Sequence, residues 1–128
     1  MNRLQGWLVF LALFFILSCQ AAQTGDVTVL SMKKLIDTKV ASHKMCHDFL
    51  LSKSDVVNYF KQATQVDGVK FNAQAMILPC KYTGALTMNG KQFKWEIMAG
   101  GAGYLFNKTI NNRYLCKGKC CQVIKGLC

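Results

Sequence analysis

The chain has 128 residues with a single proline, enough for one small domain and too few for two. Its 16 basic and six acidic residues give a formal net charge of +10 at pH 7, which favours anionic partners and disfavours basic ones. No pair stands out among the six carboxylates, so the sequence offers little material for acid–base catalysis.

Residues 1–21 are typical of an export signal. Arg3 precedes an apolar run from Trp7 to Leu17, and small and polar residues follow it. This run is too short for a transmembrane helix, which needs about 20 apolar residues. We therefore expect an exported protein on the periplasmic side of a bacterial envelope, either an outer-membrane lipoprotein or a soluble periplasmic or secreted protein.

Two processing routes compete at the end of the signal. The stretch "ILSC" resembles a bacterial lipobox, in which Cys19 is lipidated and becomes the first mature residue. A cut after Ala21 is the alternative and gives a soluble protein. Either route removes or blocks Cys19, and residues 22–26 then form a short polar tether ahead of a single domain at 27–128.

The first half of this domain is predicted to hold one strand and one helix. The stretch "VTVLSMKKLID" begins with β-branched residues and favours an edge strand. A helix is predicted over about residues 54–66, with Ser54 as N-cap, apolar residues such as Val56 and Tyr59 at helical spacing, and Gly68 as the stop.

The best-specified element is a hairpin around Asn89-Gly90, the favoured pair for a two-residue type I′ turn. The turn sets the register. It predicts four pairs on the apolar face, Met88 with Lys91, Leu86 with Phe93, Gly84 with Trp95 and Tyr82 with Ile97, and three on the other face, Thr87 with Gln92, Ala85 with Lys94 and Thr83 with Glu96. Gly84 is expected to leave room for the indole.

The rest of the chain continues the antiparallel pattern. A glycine turn in "MAGGAG" leads to a second hairpin, whose tip is predicted near Asn111-Asn112. The predicted fold is α+β, with the one helix packed on an antiparallel meander of about five strands and stapled by disulfides.

Six cysteines follow the signal: Cys46, Cys80, Cys116, Cys120, Cys121 and Cys128. An even count in a small exported domain predicts up to three disulfides, although the sequence cannot select among fifteen pairings. Adjacent Cys120 and Cys121 are expected to bond to different partners, because a vicinal bridge is strained. The tail spacing C-x3-C-C-x6-C does not match zinc knuckles, and the chain has no C-x-x-C motif, so neither a metal nor another cofactor is predicted.

The stretch "HKMCHD" raises the alternative of a cysteine- or metal-dependent enzyme at Cys46 and His47. On a strand these adjacent side chains would point to opposite faces, and an oxidised Cys46 is no nucleophile. We therefore predict no catalytic residue, and expect His43 and His47 to be exposed at a strand edge.

Charge carries the functional prediction. Five basic residues and no acidic residue follow Glu96, and four of the five form the predicted site: Arg113, Lys117, Lys119 and Lys125. The predicted function is a small, exported, non-enzymatic binding module for an anionic envelope component or an acidic protein. An inhibitor or immunity protein against an acidic periplasmic toxin is the alternative. Arg113 is the only arginine after the signal, so specific nucleic-acid reading is not expected.

Four stretches carry a resemblance: "CHDFLLSKSDVVNYFKQA", "LPCKYTGALTMNGKQFKWEI", "AGGAG" and "YLCKGKCC". Together they resemble a group of small exported proteins of Gram-negative bacteria to which no activity is assigned. The resemblance covers roughly residues 46 to 121. It implies a compartment and a fold, and it brings no activity or functional residue with it.

The lipoprotein route makes one testable prediction. Lipidation requires the Cys19 thiol, so Cys19→Ala should stall processing or move the protein from membrane to soluble fractions. Cell fractionation with N-terminal sequencing of the mature protein checks this. An unchanged distribution with a mature terminus at Ala22 would eliminate the lipoprotein hypothesis.

Overall fold

The computed structural model describes residues 25–128. The predicted export signal, Cys19 and tether residues 22–24 lie outside the described residues. In this part of the chain no helix is long and apolar enough to span a bilayer. The elements in chain order are β1 (Val27–Val29), β2 (Lys33–Ile36), a 3-10 helix (Ala41–Asp48), α1 (Lys53–Gln62), β3 (Thr64–Val66), α2 (Gly68–Gln74), β4 (Cys80–Met88), β5 (Lys91–Met98), β6 (Ala102–Phe106), β7 (Asn111–Leu115) and α3 (Lys119–Val123).

The fold is α+β with an antiparallel sheet, as predicted, but with seven strands and three α-helices where about five strands and one helix were expected. The predicted meander forms the centre of the sheet, in the order β4, β5, β6, β7. β1 and β2 both pair with β4 at one edge, and β3 pairs with β7 at the other. The two additional strands are short edge segments, which have little alternating pattern to reveal them.

The β4–β5 hairpin confirms the predicted register at all seven pairs. Asn89 and Gly90 have φ values of 52° and 74°, both positive as a type I′ turn requires. Gly84 faces Trp95 as expected, and the backbone carbonyl of Ser31 also occupies the space where a Cβ on Gly84 would stand. The connection between β1 and β2 can therefore approach β4 this closely only at a glycine.

The boundaries of α1 differ from the prediction. Ser52, rather than Ser54, is the N-cap, because it forms a capping box in which its hydroxyl accepts the Asp55 N–H (3.1 Å) and the Asp55 carboxylate accepts the Ser52 N–H (2.8 Å). The helix ends at Gln62 instead of near residue 66, since Thr64–Val66 pairs with β7. Gly68 begins α2 rather than stopping α1.

The tip of the second hairpin is also displaced from its predicted position. Asn111 and Asn112 lie within β7, and the connection runs from Asn107 to Ile110. The Asn107 side-chain oxygen accepts the N–H of Thr109 (2.9 Å) and of Ile110 (2.8 Å). This local side-chain turn fixes the reversal, and the two later asparagines are left to pair in the strand.

The core lies between one face of the sheet and a layer formed by the 3-10 helix, α1 and α3. Its largest fully buried side chains include Tyr59, Leu86, Trp95, Ile97, Leu105, Ile124 and Leu127. A smaller cluster on the opposite face joins Phe71 of α2 to Met98, Ala102 and Leu115. α2 thus covers one end of the second face, and Lys33 and Lys94 lie exposed on the remainder.

A glycine turn joins three parts of the fold. The buried Tyr59 hydroxyl of α1 donates to the Gly101 carbonyl (2.8 Å), which also accepts the Cys116 N–H (2.9 Å). Gly100 N–H donates to the Leu127 carbonyl (2.7 Å). Burial raises the pKa of Tyr59 far above its ordinary value, and the neighbouring Tyr114 adds to the rise, so the phenol keeps the proton that it donates.

This arrangement predicts a difference between two left-handed glycines. Gly101 has a φ of 101°, and a Cβ there would lie 2.8 Å from the Cys116 carbonyl oxygen, whereas Gly90 at φ 74° has open space around it. Gly90→Ala should cost only backbone strain, about 1 kcal/mol, and Gly101→Ala should cost at least about 2 kcal/mol because overpacking adds to that strain. Denaturant unfolding of the oxidised proteins measures both, and equal costs would contradict the tight packing at Gly101.

Candidate functional site

The six cysteines of the domain form three disulfides, Cys46–Cys80, Cys116–Cys120 and Cys121–Cys128. The predicted framework is therefore present, and the two adjacent cysteines bond to different partners as expected. The first bridge closes a loop of sequence separation 34, while the two others are local to residues 116–128, which we call the C-terminal tail.

The C-terminal tail is held rigidly against the domain. Cys116 follows β7, and Gly118 at φ 57° is the N-cap of α3. The two bridges join Cys120 and Cys121 of that helix to the segments before and after it. Ile124 and Leu127 are buried in the main core with 0% and 1% exposure. The tail is thus a fixed platform with an apolar underside.

Three of the four predicted binding residues lie on this platform. Lys117, Lys119 and Lys125 are all exposed. Lys117 donates to the Gln74 side-chain oxygen at the end of α2. The only ion pair within residues 25–128 joins Lys81 to Glu96, so none of the three tail charges is neutralised by a paired carboxylate there.

Arg113, the fourth predicted residue, is placed differently. It lies on β7 opposite Tyr104 and Val66, on the second face of the sheet, and is partly buried. Its guanidinium packs beside Gly68, 3.4 Å from where a Cβ on that glycine would stand. Arg113 therefore belongs to the sheet face beside α2, while the three lysines belong to the C-terminal tail.

The structure adds neighbours to the C-terminal tail that the sequence did not indicate. A groove of about 560 Å³ runs beside it, and its lining includes Met45, Asp48, Gln74 and Met76 together with Lys117 and Cys128. Asp48 brings a carboxylate beside the cationic segment. Asp48 lies 69 positions before Lys117, so no local sequence signal could have linked them.

The sulfur atoms of the C-terminal tail are close together. The Sγ atoms of Cys116, Cys121 and Cys128 all lie within 4.8 Å of one another, and each belongs to a disulfide. Disulfide sulfurs are not thiolates, so this trio would offer a soft-metal ligand set only after reduction. In the oxidised chain, thiol–disulfide exchange is the chemistry that the cluster supports.

The residues of the enzyme alternative are in place but do not form a nucleophile–base pair. Cys46 is fully buried and bonded to Cys80. The expectation of a strand here is wrong, because residues 41–48 form a 3-10 helix. His47 is exposed, and His43 is partly exposed with its Nδ1 atom 2.8 Å from the Val40 carbonyl oxygen. With its sulfur oxidised, Cys46 has no thiol to activate.

No protein-family model, curated protein or solved structure matches the chain. The resemblance to small exported proteins of Gram-negative bacteria therefore stays a prediction. The function has to follow from the chemistry of the chain's own residues.

The burial of the three bridges predicts the order in which they are reduced. Cys46 and Cys80 are 0% and 1% exposed, whereas Cys128 is exposed and Cys121 partly so. Exchange needs access of a thiolate to sulfur, so limited reduction should open Cys121–Cys128 well before Cys46–Cys80. Stepwise alkylation read by peptide mass spectrometry checks the order. Early labelling of Cys46 and Cys80 would contradict the burial of that bridge in the core.

Proposed function

We propose that this protein is a small, exported, non-enzymatic binding module whose C-terminal tail binds an anionic component of the bacterial envelope. The observation that carries the proposal is the set of three exposed lysines at positions 117, 119 and 125, which form no ion pair within residues 25–128 and lie on a segment fixed by two disulfides. Fixed cations bind a dense anion with a smaller loss of conformational entropy than cations on a free chain.

The charge balance of the described chain supports an anionic partner. Residues 25–128 carry 15 basic and six acidic residues, a surplus of nine positive charges. Several carboxylates already have local roles: Asp55 and Asp67 cap helices, and Glu96 pairs with Lys81. The positive field is therefore largely uncompensated, and it would steer anions towards the protein over about a Debye length.

The first described residues and the C-terminal tail lie at opposite ends of the sheet. β1 pairs with the Met88 end of β4, and the tail packs on the turn that follows Met98, near the Cys80 end. These ends are separated by about 27 Å, the length of a nine-residue strand. The six residue steps from Cys19 to Gly25 span at most about 21 Å. A Cys19 anchor would therefore attach to the end of the sheet that is remote from the tail.

The disulfides support the proposed compartment. Three bridges in a chain of this size persist in oxidising environments and are rare in the cytosol. Export to the periplasmic side of the envelope, in lipidated or soluble form, is the compartment that fits them.

Charge reversal tests the proposal. Replacing Lys117, Lys119 and Lys125 with Glu should weaken capture of the partner from envelope extracts at least about tenfold, because each lysine near an anionic surface contributes to binding. Raising the salt concentration to about 0.5 M should weaken partner capture by the wild-type protein in the same way. Thermal unfolding should change little, since exposed lysines contribute little to folding.

A second triple variant provides the matched control. Lys91, Lys94 and Lys108 are also exposed and lie outside the tail, so their replacement with Glu changes the net charge by the same amount. This control should retain most binding, and His47→Ala should retain all of it. Equal loss in both triple variants would show that only net charge matters. Full retention by the tail variant at low salt would overturn the proposal.

A further inference from the structure

A second groove, which we call the edge groove, lies beside β2 and is separate from the C-terminal tail. Its volume is about 510 Å³, within the range of small-molecule sites. Its apolar lining comes from β2, the loop that follows it, the segment before β4 and the end of β5: Leu35, Ile36, Val40, Ile77, Leu78 and Met98.

The edge groove leaves several large apolar side chains exposed to solvent. Leu35, Ile36 and Val40 are 37%, 42% and 40% exposed, and Ile77 is 68% exposed, although the same chain packs its core residues at or near 0%. Single exposed apolar residues are ordinary, but a contiguous group lining one concavity marks an interaction site. Contact with water is unfavourable for such an apolar surface.

Two crosslinks hold the walls of the edge groove in place. Asp37 N–H donates to the Pro79 carbonyl (2.8 Å), which ties the loop after β2 to the segment before β4. The Cys46–Cys80 disulfide ties the 3-10 helix to the first residue of β4. The groove is therefore formed before any ligand arrives, which lowers the entropic cost of binding.

The lining chemistry selects an aliphatic ligand. None of the described residues that line the edge groove is aromatic, so a flat ring system would find no stacking partner among them. The charged and hydroxyl side chains in the lining, Asp37, Ser42 and Lys81, are exposed or partly exposed and lie towards solvent rather than in the core. A flexible alkyl chain fits such a surface, with any polar group held outside.

The charges around the opening select an anionic head group. Lys81 lines the groove, Lys39 lies between lining residues 37 and 40, and Lys33 is on the same face of β2 as Leu35. The two nearby carboxylates are Glu96, which pairs with Lys81 (2.9 Å), and Asp37, which accepts the Lys39 backbone N–H (3.0 Å) and keeps its negative charge, so the three lysines outnumber the carboxylates at the opening. Lys33 and Lys39 form no ion pair within the described chain, and their charges remain for a ligand.

We propose that the edge groove binds the alkyl chain of a single-chain anionic amphiphile, with the anionic head group at its mouth beside Lys33 and Lys39. This is a second binding site, and it does not depend on the lysines of the C-terminal tail. The ligand class is a fatty-acid-like or alkyl-phosphate-like molecule in monomeric form rather than a bilayer surface.

A chain-length series tests the site. Octyl, decyl and dodecyl phosphate, each below its aggregation concentration, are titrated calorimetrically into the oxidised protein. Each additional buried methylene should lower Kd by about fourfold, so two methylenes should lower it by roughly tenfold or more. Equal affinity for all three phosphates would overturn the proposal, because head-group binding alone would then account for the heat.

Two exposed apolar residues provide matched variants. Ile77→Asn places a polar group in the edge groove and should lower the affinity for dodecyl phosphate at least about tenfold. Val69→Asn changes an 82% exposed valine on α2 outside the groove and should leave that affinity unchanged. Neither residue belongs to the core, so both variants should fold, which circular dichroism verifies. If both variants bind like wild type, the chain does not lie in this groove and the proposal fails.

Two further measurements distinguish the edge groove from the C-terminal tail and from a dimer interface. The Lys117, Lys119 and Lys125 triple reversal should leave dodecyl phosphate affinity within about threefold of wild type, because the two sites are distinct. If the protein fails to capture an envelope component but still binds alkyl phosphate, the proposed function of the tail is contradicted and the amphiphile site is supported. Sedimentation of the free protein detects a second copy as the occupant, and a dimer abolished by Ile77→Asn would overturn the amphiphile proposal.

Discussion

One backbone carbonyl, that of Gly101, joins α1, the sheet and the C-terminal tail inside the core. It accepts the Tyr59 hydroxyl from α1 and the Cys116 N–H from the C-terminal tail. The Tyr59 ring occupies the space in which Gly103 would otherwise carry a Cβ. Helix, sheet and tail are thus fixed relative to one another at one buried point, and the exposed lysines of the tail take their positions from it.

The disulfides complement this point rather than duplicate it. Cys46–Cys80 closes the long loop that contains α1, β3 and α2, which is the part of the chain with the fewest sheet pairings. The two tail bridges act over only four and seven positions, so they shape a segment that Ile124 and Leu127 already anchor. A small core gains from both kinds of constraint, because little apolar area is available to offset chain entropy.

Both proposed binding surfaces lie towards the same end of the sheet. The edge groove is lined by Cys80, Lys81 and Met98, and the C-terminal tail follows Leu115 at the neighbouring strand end. The chain enters at the opposite end, beside the Asn89-Gly90 turn. If the protein is tethered at its N-terminus, the tether joins the entry end, which is remote from both surfaces.

The sequence by itself determined the features that depend on neighbouring residues. Asn89-Gly90 specified the turn, the turn specified the register of β4 and β5, and the even cysteine count specified a disulfide framework. Local competition explains the errors: Ser52 has Asp55 at the spacing of a capping box, and Asn107 closes a turn before Asn111 is reached.

Only the tertiary structure decided what depends on residues far apart in the chain. It determined one cysteine pairing out of fifteen and formed the edge groove from three separate segments. It also placed Asp48 beside the C-terminal tail and Arg113 on the sheet face. These outcomes follow from packing between segments that are distant in the sequence. Patterns within short sequence windows do not predict such contacts.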